Sequence, residues 1–187
     1  MKKKFLVLCL VWALSMVSCV NTSEKSNDAQ KQALKLTLRF EQSTYHVGEP
    51  VVAIVRLENI GSETIIVNSL MRMGLPPDPS PVRDIAFDVI TPTGEIYWPD
   101  INITPGPLYN THFVELKSGE SFEKIVHLDS YFYNFTEVGT YKIIANYQNI
   151  LDPKDAILDP NGVDTSDNRI AWKGELNSDE VQLTIIP

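Results

Sequence analysis

The sequence predicts an all-β fold: a single antiparallel β-sandwich of about eight or nine strands over residues 33–187. Two observations carry that expectation. Apolar residues recur at every second position through most of the chain, the period of a strand with one buried face. Gly, Pro and Asn break these runs roughly every eight to twelve residues, and no window beyond residue 32 carries a helical stripe.

Each element follows from its own run. Leu34-Lys35-Leu36-Thr37-Leu38-Arg39-Phe40 alternates cleanly. Val51, Ala53, Val55 and Leu57 line one face of the next strand, which ends at the turn signal Asn59-Ile60-Gly61-Ser62. Thr64 to Val67 is β-branched throughout. Ile85, Phe87 and Val89 alternate with Ala86 and Asp88, and Thr91-Pro92-Thr93-Gly94 turns the chain into Glu95-Ile96-Tyr97-Trp98. Phe122 to Leu128 follows the turn Ser118-Gly119-Glu120. Tyr141, Ile143, Ala145 and Tyr147 share a face after Gly139-Thr140; Trp172, Gly174 and Leu176 alternate; Val181, Leu183 and Ile185 close the chain. The spacing of Gly139 and Tyr141 fits two arrangements. One is a tyrosine corner, with a hydroxyl near the start of a late strand bonded to upstream backbone. The other is an ordinary core aromatic.

Several of these positions recur in order in a known group. Tyr45-His46-Val47-Gly48-Glu49-Pro50-Val51, Leu57-Glu58-Asn59, Leu116-Lys117-Ser118-Gly119-Glu120, Gly139-Thr140-Tyr141 and Trp172-Lys173-Gly174 through Ser178 resemble immunoglobulin-like sandwiches of bacterial secreted proteins. The patterning is similar to the bacterial intracellular proteinase inhibitor family and to the N-terminal domain of aspzincin metallopeptidases. The resemblance covers most of residues 34–187 and implies an immunoglobulin-like β-sandwich. It rests on turn and core positions, so it implies little about activity. The catalytic zinc domain of aspzincins has no counterpart.

The first residues read as an address. Lys2, Lys3 and Lys4 precede an apolar run from Phe5 to Val17, closed by Ser18 and Cys19. A basic start, a short apolar stretch and a small residue at the boundary make a secretory signal over 1–18. The apolar run falls short of the roughly 20 residues a bilayer span needs. Met16-Val17-Ser18-Cys19 resembles the bacterial lipobox, with Met16 where Leu is usual; the resemblance implies diacylation of Cys19, which becomes the mature N-terminus. More than one acyl chain anchors stably. Cys9 leaves with the signal, so the mature domain has no disulfide. Residues 19–32 are then the lipidated cysteine and a polar tether unable to bury a core. Val20, in place of an Asp after the cysteine, favours the outer membrane in a Gram-negative host.

Removing Lys2, Lys3 and Lys4 leaves 13 basic against 24 acidic residues, a net charge of −11 on the mature chain. Such a domain is a poor partner for nucleic acid. The expected partners are the membrane, through the lipid on Cys19, and a protein or glycan.

The chemistry-bearing residues are sparse. His46, His112 and His127 have no second ligand at metal-motif spacing, and no H-E-x-x-H occurs. There is no G-x-S-x-G elbow, no cysteine nucleophile that would survive lipidation of Cys19, and no phosphate-cradling glycine loop. No catalytic residue and no cofactor is expected. The run 152–168 holds five aspartates and two asparagines. Within it Asp159, Asn161 and Asp164 offer calcium-type oxygen ligands, although the run does not match an EF-hand; the alternative is a solvated acidic loop.

A second segment, 70–82, carries Pro76, Pro77, Pro79 and Pro81, which favour polyproline II. Met71, Met73, Leu75, Pro76 and Pro77, with Tyr109 from the comparable tip Pro105-Gly106-Pro107-Leu108-Tyr109, form a candidate partner-binding surface. In the alternative, Met71, Met73 and Leu75 fold back over an open sandwich edge. The expected function is therefore a membrane-anchored, non-catalytic binding or protein-interaction module of the bacterial cell envelope. A proteinase inhibitor using loop 70–82 is the alternative, and a small envelope hydrolase the second.

Overall fold

The computed structural model describes residues 33–74, 84–97, 106–129, 133–156 and 167–187. The expected leader 1–18 and the expected tether, with Cys19, lie outside the described residues.

Ten strands form among the described residues. Sheet one has the order β1 (Leu34–Phe40), β3 (Val52–Asn59), β7 (Ser121–His127), all antiparallel. Sheet two runs β2 (Thr44–His46), β10 (Val181–Ile186), β8 (Gly139–Asn149), β5 (Ile85–Ile90). There β2 lies parallel to β10, and β9 (Gly174–Asn177) pairs with the end of β8 beyond β10. Ser178 breaks the β9–β10 line: its amide bonds the Ala145 carbonyl at 2.9 Å and its Oγ accepts the Ala145 amide at 3.0 Å. A two-stranded ribbon joins β4 (Ile65–Asn68) to β6 (Phe113–Leu116).

This order is the immunoglobulin one. β1, β3 and β7 stand as strands A, B and E; β2, β10, β8 and β5 stand as A′, G, F and C. The fold is an all-β, immunoglobulin-like antiparallel sandwich. Its core lies between the sheets, where Leu36, Leu38, Val55 and Leu57 face Phe87, Val89, Ile143 and Leu183. A fully buried Leu, Val or Phe side chain contributes about 1.5–3 kcal/mol, and this alternation holds the described residues, which include no cysteine.

Tyr141 is a tyrosine corner. It sits near the start of β8, and its hydroxyl accepts the Glu137 amide at 3.1 Å while its ring meets Phe135 edge-on. Gly139 is required beside it: φ is +140°, and a Cβ there would lie 2.6 Å from that of Pro92.

Eight of the nine alternating runs became strands. The stretch Glu95–Tyr97 makes only one bridge, Ile96 to Ile90, and Trp98 lies outside the described residues. Two strands carried no signal. β2 is three residues long with only Tyr45 buried, and β6 buries its two ends rather than alternate positions.

Candidate functional site

Two long connections leave the same end of the sandwich. One joins β4 to β5, the other β8 to β9. Ile85 at the start of β5 pairs with Tyr147, and Gly174 at the start of β9 pairs with Asn149. The Asp84 carbonyl also accepts the Gln148 amide at 2.9 Å. The described bases of both connections therefore lie side by side, at the end where the B–C and F–G loops of an immunoglobulin domain lie.

A buried ion pair closes the base of the first connection. Asp84 accepts from the Arg72 amide (2.8 Å), from its Nε (2.9 Å) and from its Nη2 (3.0 Å). In return the Arg72 carbonyl accepts the amides of Asp84 and Ile85 at 2.9 and 3.0 Å. Gly74 donates to the Ile85 carbonyl at 2.9 Å. Met71, ahead of the arginine, has φ +47°, a left-handed conformation that costs an L-residue about 1–2 kcal/mol. Lys124 secures that turn. It lies opposite Val55 on the core-facing row of β7, and its ammonium donates to the carbonyls of Leu70 and of Met71, the latter at 3.0 Å. Burial pulls the Lys124 pKa down, against the opposing charge of Asp84.

The second connection is closed by two pairs and a web of backbone bonds. Asp152 accepts the Ala171 amide at 3.0 Å and the Lys173 ammonium at 2.6 Å. Burial raises the Asp152 pKa, but the bonds from Lys173 and Ala171 and the charges of Lys173 and Lys154 outweigh it and leave the carboxyl below its usual range. Asp167 pairs with Arg169 at 2.6 Å, and the same guanidinium reaches the carbonyls of Phe113 (3.2 Å) and Asn110 (3.5 Å). Asn149 Nδ2 donates to the carbonyls of Leu151 and Trp172 at 2.9 and 2.7 Å. The Trp172 ring stacks on Tyr147 at 5.8 Å, and the Tyr147 hydroxyl bonds the Asn68 carbonyl at 3.1 Å.

Between the clasps lies the 3₁₀ turn Asn110–His112. Leu108, Phe113 and Ala171 form a small second core there, with Ile66, Leu70, Leu151 and Ala156 packed around it. Two buried side-chain atoms at this end, Asn68 Nδ2 and Asn110 Oδ1, have no hydrogen-bond partner among the described residues. The end is thus polar, braced from two sides and not fully spent in internal bonding.

The residues predicted from sequence fare unevenly. Met71 and Met73 are 0% and 4% exposed and belong to the main core. This corrects the expectation that they form a contact surface: both side chains cover the sandwich interior, as in the fold-back alternative. Tyr109 is half-buried against the His112 ring and helps close the 3₁₀ turn, so it is not a free tip. Leu75, Pro76 and Pro77 lie outside the described residues, as do Cys19 and the calcium candidates Asp159, Asn161 and Asp164. Among the described residues no three His, Cys, Asp or Glu side chains gather as a metal site. His46 and His127 are exposed.

Sequence reading passed over Arg72, Asp84, Lys124, Arg169 and Lys173. The signal was available. Arg72 interrupts an apolar run between two methionines, Lys124 occupies a core-facing strand position, and opposite charges flank both long connections.

No protein-family model and no curated protein sequence matches the chain. Among solved structures it is similar to the CARDB domain of a Pyrococcus furiosus protein in complex with di-metal ions. That pair is 12% identical, covers 81% of this chain and 91% of the other, and has a TM-score of 0.36. It is also similar to a sporulation control protein of Bacillus subtilis: 12% identity, 83% and 50% coverage, TM-score 0.38. A third is a β-glucosidase of Listeria innocua in complex with glucose, at 11% identity, with 82% of this chain against 16% of the enzyme and a TM-score of 0.34. At these values the fold assignment rests on the strand order itself, and nothing of those proteins' activities passes to this chain.

Proposed function

We propose that the chain is a membrane-anchored, non-catalytic binding or protein-interaction module of the bacterial cell envelope, which offers the connections 75–83 and 157–166 to a partner. The anchor is the lipid on Cys19, with the outer membrane favoured in a Gram-negative host. One observation supports the reading most. Both long connections emerge at one end, and each base is fixed by an ion pair and backbone bonds. Fixing a loop's base lowers the ordering cost a partner must overcome on binding. Antibody variable domains use the corresponding end in this way.

The test is in-cell crosslinking of the full-length chain followed by mass spectrometry of what it captures. A recurrent partner whose crosslinks map to residues 69–84 or 150–173 supports the proposal. Crosslinks spread evenly over the surface, with no recurrent partner, count against it.

A second reading, a proteinase inhibitor, is favoured by one feature: the proline-rich segment lies between two chain ends pinned by Arg72 and Asp84. Slowed hydrolysis across a broad protease panel at micromolar concentrations of the chain would support it. Unchanged rates would remove it.

A further inference from the structure

The 3₁₀ turn Asn110–His112 touches both clasps, and a titratable ring adds a second bond to the one from the His112 amide to the Tyr109 carbonyl at 3.0 Å. His112 Nδ1 accepts the Tyr109 amide at 2.9 Å, and the two rings lie 5.4 Å apart. An imidazole nitrogen that accepts an N–H carries no proton, so this side-chain bond across the turn belongs to the neutral ring alone. The His112 carbonyl accepts the Ser69 amide and hydroxyl at 2.9 and 2.7 Å, which ties the turn to the entry of the first clasp. From the other side Arg169 reaches the carbonyls of Asn110 and Phe113. One short turn therefore couples the two loop bases.

The charges around the ring are unequal. Arg72 and Asp84 act on it from the first clasp, and Lys124 acts from β7, so a single carboxylate faces two cations. On the second-clasp side Arg169 is paired with Asp167, and Glu115 of β6 lies within its field. The 3₁₀ turn Pro153–Asp155 adds Lys154 and Asp155, beside Asp152 paired with Lys173. A proton on His112 would join an excess of positive charge on the first-clasp side.

We infer that His112 is a pH-sensitive latch: its neutral ring fastens Tyr109 to the turn that couples the two loop bases, and protonation releases that bond and loosens the turn. This goes beyond the binding proposal, because the turn loosens whether or not anything docks.

The direction follows from linkage. Burial lowers the His112 pKa, Arg72 and Lys124 lower it further, and Asp84 opposes them. With the folded value below the ordinary 6.5, the stability that the ring adds to the turn is full above pH 6.5 and is lost as the pH falls through the folded value.

The experiment is NMR on the full chain in detergent micelles, following the His112 ring and hydrogen exchange at the Tyr109 amide from pH 8 to pH 5. After correction for intrinsic exchange, the opening constant at Tyr109 should rise by up to about tenfold per pH unit between 6.5 and the His112 midpoint, then level off. His112→Gln supplies an oxygen that accepts the Tyr109 amide and does not titrate, so its opening constant should stay flat. His46 and His127, both exposed, provide titrating controls. The latch is wrong if Tyr109 exchange ignores the His112 midpoint in the native chain, or if His112→Gln keeps the native pH dependence. The native titration decides alone should the variant not fold.

Discussion

The two clasps do the same job with opposite electrostatics. In the first, Arg72 and Asp84 are 8% and 3% exposed, and every bond between them is withdrawn from water. In the second, the cations Lys173 and Arg169 are 45% and 35% exposed, and closure is shared with the Ala171 amide, which donates to Asp152, and the Asn149 side-chain amide, which donates to the Trp172 carbonyl. A buried pair is an all-or-nothing device, because a charge left without its partner has no solvent to turn to. A half-exposed pair is screened, and water replaces whatever is lost. Damage should therefore concentrate in the first clasp and dissipate in the second.

The largest effect is expected at Asp84. Asp84→Ala leaves the Arg72 guanidinium buried and unpaired and should cost about 3–5 kcal/mol in denaturant unfolding of the full chain. Pairing Arg72→Met with Asp84→Leu should restore part of that loss, since a packed apolar pair avoids the desolvation cost while the residue-72 amide that Asp84 accepts is left unpaired. Two additive single-mutant losses in the double variant would show that the pair is not acting as a unit.

Lys124 comes next. Lys124→Met keeps the aliphatic stem but strands the carbonyls of Leu70 and Met71, which should cost about 1–3 kcal/mol. The left-handed backbone at Met71 would then lose its tie, so amide exchange should accelerate at residues 70–74 and not at 150–156. At the far end of the sandwich, Tyr141→Phe removes one hydrogen bond and should cost about 1 kcal/mol. It should add to either clasp variant within roughly 0.5 kcal/mol, because it shares no partner with them.

Legibility in the sequence divides along the same line. The sandwich was readable because each strand has a buried face and so repeats with period two: β1, with Leu34, Leu36 and Leu38 buried, is the plainest case. β2 escaped because three residues make no period, and β6 because its burial follows the ribbon with β4 rather than one sheet face. The site was poorly readable for a different reason. Arg72 and Asp84 are twelve residues apart, and Lys124 meets Leu70 only after β7 pairs with β3. Such contacts are set by chain reversal across the sheets and leave no local spacing. The methionines misled for a related reason: an apolar residue in a proline-rich segment reads alike whether it covers a core or faces a partner.

The second clasp gives the smallest and most diagnostic prediction. Asp152→Asn keeps an oxygen for the Ala171 amide and loses only the charge facing Lys173, so it should cost no more than about 1 kcal/mol. Because the native Asp152 carboxyl titrates below its usual range, its stabilisation is complete above the unfolded pKa, near 3.9. That stabilisation disappears as the pH falls through the lower folded value. Unfolding free energy measured from pH 6 down to pH 3 should therefore fall less steeply in Asp152→Asn than in the native chain. The gap between the two curves should narrow at low pH and shrink in high salt, as expected for a pair with one partner in water. A loss as large as that of Asp84→Ala, insensitive to salt, would mean that the second clasp is as dry as the first and that burial does not separate them.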